Sequence, residues 1–249
     1  MPYIREGQRQ RLLNRSVLKT NEQTNQTMDV TKAQTEALLK QQGRVVYYLD
    51  HILSTINFRD KYFQYSIAFI LFNPIFWNVV ARLEYKTHLL TKLTGSAKAG
   101  CYLLAATIFS LGVGRDLVFD KALRQQQTCE YLTNNVNIKY LSCGIFGVGQ
   151  LLVLTSMYQL GVTGTYLGDY FGILMKERVT GFPFDVSNNP MYQGSTLSFL
   201  ATSLYYGKPA GLVITAIVYF MYKIALRFEE PFTAMIYAKK TVEDKRKLK

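Results

Sequence analysis

Pro209-Ala210-Gly211-Leu212-Val213-Ile214-Thr215-Ala216-Ile217-Val218-Tyr219-Phe220-Met221-Tyr222-Lys223-Ile224-Ala225-Leu226 reads as a helix facing hydrocarbon. It runs directly into Arg227-Phe228-Glu229-Glu230-Pro231-Phe232. Two adjacent carboxylates at a membrane boundary are costly to desolvate unless partners meet them. They are placed to receive positive charge or hydroxyl donors. The apolar stretch points to a membrane protein, and the pair that follows it points to a membrane-embedded site.

Three further apolar blocks lie upstream. Residues 62–81 carry no charge between Lys61 and Arg82, enough to cross a hydrocarbon core of about 30 Å. Asn73-Pro74 interrupts this block, which predicts a kink or a re-entrant segment. Trp77, Tyr62 and Tyr65 suit an aromatic belt. Residues 99–114, between Lys98 and Arg115, are short for a span. Residues 140–168 are uncharged, with 141–162 as their helical part. In the fourth region, 186–226, the turn signal Tyr206-Gly207-Lys208-Pro209 makes a helical hairpin the alternative to a single span. The expected fold is all-α: a polytopic helical bundle of about four membrane segments. It occupies one domain over 45–240, with 45–60 as a short interfacial amphipathic helix. Residues 1–44, rich in Gln, Asn and Thr, read as a flexible polar tail, and 241–249 as a basic tail.

The bulk numbers fit this reading. About half of the 249 residues are hydrophobic (49%), and the polar N-terminal region dilutes them. A net charge of +12 would suggest nucleic acid in a soluble protein. Here the excess sits beside the apolar blocks, where it sets topology and meets anionic lipid. The expected partners are therefore the membrane and its lipids, with no nucleic acid. Cys101, Cys129 and Cys143 share no C-x-x-C spacing, and His51 and His88 are far apart, so no metal site is expected. No P-loop, H-E-x-x-H or G-x-S-x-G occurs, and the N-terminus lacks the apolar core of a cleavable signal peptide.

Charge bias orients the segments. Four crossings with both ends cytosolic put 22 Lys and Arg on one side and 7 on the other. A first segment that only dips gives 12 against 17. Either way the C-terminus is cytosolic. The first arrangement leaves the acceptor sequences Asn14-Arg15-Ser16 and Asn25-Gln26-Thr27 unglycosylated. Lys245 and Lys247 resemble a dilysine retrieval signal of the endoplasmic reticulum, and read equally well as a positive-inside tail.

Chemistry concentrates at two places. Gly147-Val148-Gly149 lies near the entry of the third block, and Glu229-Glu230 follows the fourth. Backbone bared by two glycines, close to two carboxylates, can hold a polar, cationic cofactor. Alone, G-x-G in a span is a helix-packing feature. Residues 181–194, punctuated by Gly, Pro and Asn, read as an ordered loop leading into a helix at Asn189-Pro190. A helix N-terminus there could face an anion.

Five strings occur in order across 58–240: Phe72-Asn73-Pro74-Ile75-Phe76-Trp77-Asn78-Val79-Val80-Ala81-Arg82, Gly164-Thr165-Tyr166-Leu167-Gly168-Asp169-Tyr170-Phe171-Gly172, Val179-Thr180-Gly181-Phe182-Pro183-Phe184, Asn189-Pro190-Met191-Tyr192 and Glu229-Glu230-Pro231-Phe232-Thr233-Ala234. Together they closely resemble the phosphatidylethanolamine N-methyltransferase family, and within it the fungal branch. The resemblance implies an endoplasmic-reticulum membrane enzyme that uses S-adenosylmethionine. It would methylate phosphatidyl-N-methylethanolamine and its dimethyl product to phosphatidylcholine. It also implies that Gly147, Val148, Gly149, Glu229 and Glu230 contact the methyl donor. The related isoprenylcysteine methyltransferases carry Arg-His-Pro-x-Tyr-x-Gly before their Glu-Glu. This chain has Asn188-Asn189-Pro190-Met191-Tyr192-Gln193-Gly194, without both basic residues. The lipid amine must be neutral to attack, so a base or a desolvating pocket is needed. Asp169 and Glu229 are the candidate bases. An isoprenylcysteine-type enzyme is the nearest alternative, and a non-enzymatic transporter or scaffold the alternative of another class. No internal repeat supports a transporter.

Overall fold

The structure is a computed structural model. It describes residues 52–176 and 179–247, with a few isolated positions before 52. The chain divides into two units, Met1–Ile52 and Leu53–Lys249. Most of the polar tail and part of the amphipathic helix expected at 45–60 lie outside the described residues; its described end is helical only over 52–54, and 55–60 form turns and irregular chain leading into the cap at Asp60, not a helix.

The elements of the second unit are helices: α1 (Lys61–Thr87), α2 (Leu89–Thr94), α3 (Ala97–Gln125), α4 (Glu130–Thr133), α5 (Val136–Thr165), a 3-10 turn (Gly168–Phe171), α6 (Pro190–Tyr205) and α7 (Pro209–Lys247). Four helical stretches are long and apolar enough to cross a membrane: Lys61–Thr87, Ala97–Gln125, Val136–Phe171 and Pro209–Val242. Capping fixes where the first two begin. Asp60 accepts from Phe63 N at 2.8 Å, and Ser96 accepts from Ala99 N at 3.1 Å.

Three readings change. Asn73-Pro74 neither breaks nor turns α1, which runs on as one helix. Asn73 Nδ2 instead donates across to Leu111 O of α3 at 3.2 Å, so the polar side chain bridges two helices through its amide nitrogen while its Oδ1 is buried without a partner among the described residues. The second block does not stop at Arg115. Helix α3 carries on through Arg115, Asp116 and Asp120 to Gln125, because these charges find partners. The helix α7 also continues through Glu229, Glu230 and the basic residues to Lys247. The fourth region is the hairpin. Gly207, with φ +60, turns α6 into α7, and Lys208 Nζ donates to Gln126 O at 2.7 Å and to Thr128 Oγ1 at 2.8 Å.

The hairpin alters the parity of the chain. Asn57 and Gln126 hydrogen-bond to each other, and Cys129 N donates to Gly207 O, so the start of α1, the end of α3 and the α6–α7 turn share one end. Arg82, Tyr166, Asp169 and Glu229 meet at the other. The five long rods alternate in direction, and α1 starts at the end opposite to Glu229. Four crossings would have put both on one side. The extra traversal is α6, whose 16 residues span about 24 Å.

Two apolar clusters hold the rods. Phe63, Ile70, Phe119, Leu123, Phe199, Ile214 and Val218 join α1, α3, α6 and α7. Ala81, Cys101, Leu104, Tyr170, Phe171 and Ile236 close the Glu229 end. Between α5 and α6 the backbones nearly touch: a Cβ on Gly149 would stand 2.7 Å from Gly194 O.

Candidate functional site

Residues 100° apart on a helix face different ways. Because α7 continues through the acidic pair, Glu229 and Glu230 separate. Glu229 turns inward onto a cavity of about 850 Å³. Glu230 lies at the rim and accepts from Asn189 Nδ2 at 2.8 Å. The i, i+4, i+8 spacing places Glu229, Thr233 and Tyr237 on one stripe, and all three line the cavity.

Glu229 is held by three donors from two other helices. Trp77 Nε1 and Asn78 Nδ2 of α1 both donate to Oε1, the second at 2.8 Å, and the Tyr192 hydroxyl of α6 donates to Oε2. A carboxylate fixed from three sides has little rotational freedom and keeps about one of its four acceptor sites, on Oε2, for a ligand. Asp169, on the 3-10 turn, lines the same cavity. Its Oδ2 accepts from Thr233 Oγ1 at 2.8 Å. Tyr237 accepts from Met175 N at 3.2 Å and ties down the strand of loop that follows. The site thus presents two carboxylates, one tightly fixed and one held by a single side-chain donor. Thr165 Oγ1 also lines the cavity and is buried, with no hydrogen-bond partner among the described residues.

The glycines lie elsewhere. Gly149 is buried where α5 crosses α6, so the backbone it bares is met by Gly194 and not by open space. Gly147 and Val148 face outward, and a Cβ on Gly147 would touch nothing within 4 Å. The cavity-facing residues of this stretch are Phe146 and Gln150. Asp169 and Glu229 are brought together; the G-x-G and Glu230 are not among the lining residues. Sequence reasoning passed over Tyr192, Thr233, Tyr237 and the donor side of Trp77-Asn78. The signal for Thr233 and Tyr237 was their spacing from Glu229 once the helix is allowed to continue.

Residues 138–240 match the family model for phospholipid methyltransferases. A phosphatidyl-N-methylethanolamine N-methyltransferase of Saccharomyces cerevisiae is 65% identical over 190 residues, covering 76% of this chain and 92% of that protein. The chain belongs to the phospholipid methyltransferase family. This phospholipid N-methyltransferase is also similar to a phosphatidylethanolamine N-methyltransferase A of Dictyostelium discoideum, with 52% identity, 77% of the chain and 89% of that protein. A phosphatidylethanolamine N-methyltransferase of Homo sapiens is 42% identical over 77% of the chain and 96% of that protein. No solved structure matches. The cavity of the methyltransferase lies among helices long enough to span a bilayer, as an enzyme with lipid substrates requires.

Proposed function

We propose that the chain transfers methyl groups from S-adenosylmethionine to phosphatidyl-N-methylethanolamine and phosphatidyl-N,N-dimethylethanolamine, yielding phosphatidylcholine. We place it in the endoplasmic-reticulum membrane with the Glu229 end in the cytosol. One observation carries this reading: Glu229, fixed by Trp77, Asn78 and Tyr192, shares a membrane-embedded cavity with Asp169.

The donor set suits the methyl donor. Carboxylates complement its ammonium and its ribose diol, and the unpartnered Thr165 hydroxyl offers a further contact. Glu229 would hold the donor, with Glu230 and Asn189 closing the rim above it. The G-x-G supports the site through the α5–α6 crossing at Gly149. Bound there, S-adenosylmethionine supplies a methyl group on a positively charged sulfur.

The chain's own tasks are to align the amine, exclude water and receive a proton. Asp169 lines the cavity beside Glu229 with Thr233 as its side-chain donor, and it is the acceptor assigned to the proton of the lipid ammonium. The aromatic and apolar walls keep water out, which removes the competing nucleophile. The orientation rests on base: Arg82, Lys86, Lys92, Lys98, Lys176, Arg227, Lys239 and Lys240 lie at the Glu229 end, against Arg59, Lys61, Lys121, Arg124, Lys139 and Lys208 at the other.

Glu229→Gln tests the reading. The amide can accept from Trp77 and Asn78 through its oxygen and donate to the Tyr192 hydroxyl, so geometry survives and charge is lost. Purified Glu229→Gln in detergent should lose S-adenosylmethionine binding by about tenfold or more while its thermal stability holds. Undiminished binding overturns the assignment of Glu229.

A further inference from the structure

Arg115 is the cationic residue among those lining the cavity, next to Asp116 and Asp120, and the methyl-transfer site uses none of the three. It sits within α3, inside a stretch apolar enough to span the membrane. Its side chain is 15% exposed and lines the cavity. Burying a guanidinium in such a place is expensive, and intramembrane ionisable residues need partners. The partners present use only part of it. Nε donates to Asp116 Oδ1 at 2.9 Å, Nη2 meets the same oxygen at 2.9 Å, and Nη1 donates to the Tyr222 hydroxyl at 2.6 Å. One face of the group lies over the Phe199 ring, 4.9 Å from its centroid. A guanidinium has five N–H donors in a planar fork. Three are engaged by these contacts, which leaves one N–H on each terminal nitrogen to receive an anion. Asp116 does not neutralise the group from both prongs, since it offers one oxygen and is itself 60% exposed.

The surroundings extend this into a polar floor. Ser195 Oγ lies 3.1 Å from the Tyr222 hydroxyl, and Gln150 Nε2 donates to Ser198 Oγ at 2.9 Å; these residues line the cavity. On the same cavity, Phe109 and Val113 of α3 and Phe146 and Leu154 of α5 are exposed apolar side chains. An anion on Arg115 thus has an apolar exit between α3 and α5 toward the bilayer. Tyr222 precedes Glu229 by seven residues, two turns and about 10 Å along the same face of α7. That length accommodates a two-carbon linker, an amine and the reactive end of a methyl donor.

We propose that Arg115 binds the phosphodiester of the phospholipid substrate and so sets how far its amine reaches toward Asp169 and Glu229. The inference rests on the reading of the cavity as the lipid-methylating site. The phosphate lies on the two open N–H groups, the acyl chains leave between α3 and α5, and the headgroup points along α7. Arg115 is a specificity residue for the lipid and makes no contact with the methyl donor.

The test uses the full-length enzyme in detergent micelles, with wild type, Arg115→Ala and Arg115→Lys. Two lipids are compared: phosphatidyl-N-methylethanolamine, and a diacylglycerol joined to N-methylethanolamine through an uncharged linker of equal length. Arg115→Ala should raise the KM for the phospholipid about tenfold or more, with the KM for S-adenosylmethionine within about twofold. The uncharged lipid should be turned over equally by wild type and variant. Arg115→Lys keeps the charge but not the fork, and should fall between. Displacement of a fluorescent short-chain phospholipid, read without turnover, should weaken in parallel. An unchanged phospholipid KM, or an equal loss on both lipids, overturns the proposal. Absence of methyl transfer in wild type with phospholipid displacement still dependent on Arg115 would instead sink the enzymatic reading and leave the phosphate site standing.

Discussion

The Tyr192 hydroxyl donates to Glu229 Oε2 across the α6–α7 pair, 37 residues away along the chain. This bond ties the loop-to-helix entry at Asn189-Pro190 to the end of the last span. It also explains why Glu229 tolerates its inward position: most of its hydrogen-bonding capacity is met by groups that α1 and α6 bring to it. The Tyr192 ring packs edge-on against Tyr222, with centroids 4.9 Å apart, so the hydroxyl is aimed by packing as well as by the bond.

Tyr192→Phe keeps that packing and removes only the donor. A hydrogen bond to a charged group is worth about 1.5–3 kcal/mol, so the catalytic efficiency kcat/KM should fall about tenfold to a hundredfold. Methyl transfer to vesicle lipid, with circular dichroism as the check on folding, measures it. Full activity would mean that Trp77 and Asn78 alone position Glu229.

The two glycines of Gly147-Val148-Gly149 should behave differently. At Gly149 a side chain collides with Gly194 O and with Ser198 Oγ, 2.9 Å from the added Cβ. Gly149→Leu should therefore separate α5 from α6 and cost about 1–3 kcal/mol or more in stability. Gly147 looks outward, and Gly147→Leu should leave thermal stability nearly unchanged. Scanning both by thermal unfolding in detergent separates the positions. Comparable destabilisation at Gly147 would show that its outward face is packed against something.

Much of this architecture was legible in the sequence, and the misses share one cause. Apolar runs located α1, α5 and the start of α7, and Gly207-Lys208-Pro209 marked the hairpin. Each run was cut, however, where a charge appeared. Arg115 ended the second block on paper, and the fourth was closed at Leu226, short of Glu229 and Glu230. In the fold these charges are partnered, so the helices continue through them. The partners are far apart in sequence: Arg115 and Tyr222 are separated by 107 residues, and Trp77 and Glu229 by 152. Hydropathy along a window carries no trace of such pairing. The consequences reach the site, since a helix that ends at Leu226 leaves the two glutamates equivalent, and a helix that continues assigns one to the cavity and one to the rim.

Asp169 and Thr233 permit a finer separation. Thr233→Val removes the side-chain donor to Asp169 Oδ2 and leaves the carboxylate. Asp169→Asn leaves the hydroxyl partner and removes the base. If Asp169 receives the proton, Asp169→Asn should lower kcat about a hundredfold or more with a small change in the KM for S-adenosylmethionine. Thr233→Val should shift the pH dependence of kcat with a milder loss. Both are read from initial rates over a pH series with phosphatidyl-N-methylethanolamine. A change confined to the KM for the methyl donor would make Asp169 a binding residue and pass the proton to another group.

The alternation of five rods fixes which loops share a side. The α3–α5 connection lies with the start of α1, away from Glu229. If the basic Glu229 end faces the cytosol, residues 126–135 face the lumen. An Asn-x-Thr acceptor inserted between Gln127 and Thr128 should then be glycosylated, and one inserted after Lys240 should not. Endoglycosidase-sensitive mobility shifts in microsomes report both. The natural acceptors at Asn14 and Asn25 add a second reading, because their state shows whether residues 1–52 stay on the side where α1 begins. A glycan after Lys240 with none in the inserted loop would invert the molecule and place methyl transfer in the lumen, against the bias of Arg82, Lys86, Lys92 and Lys98.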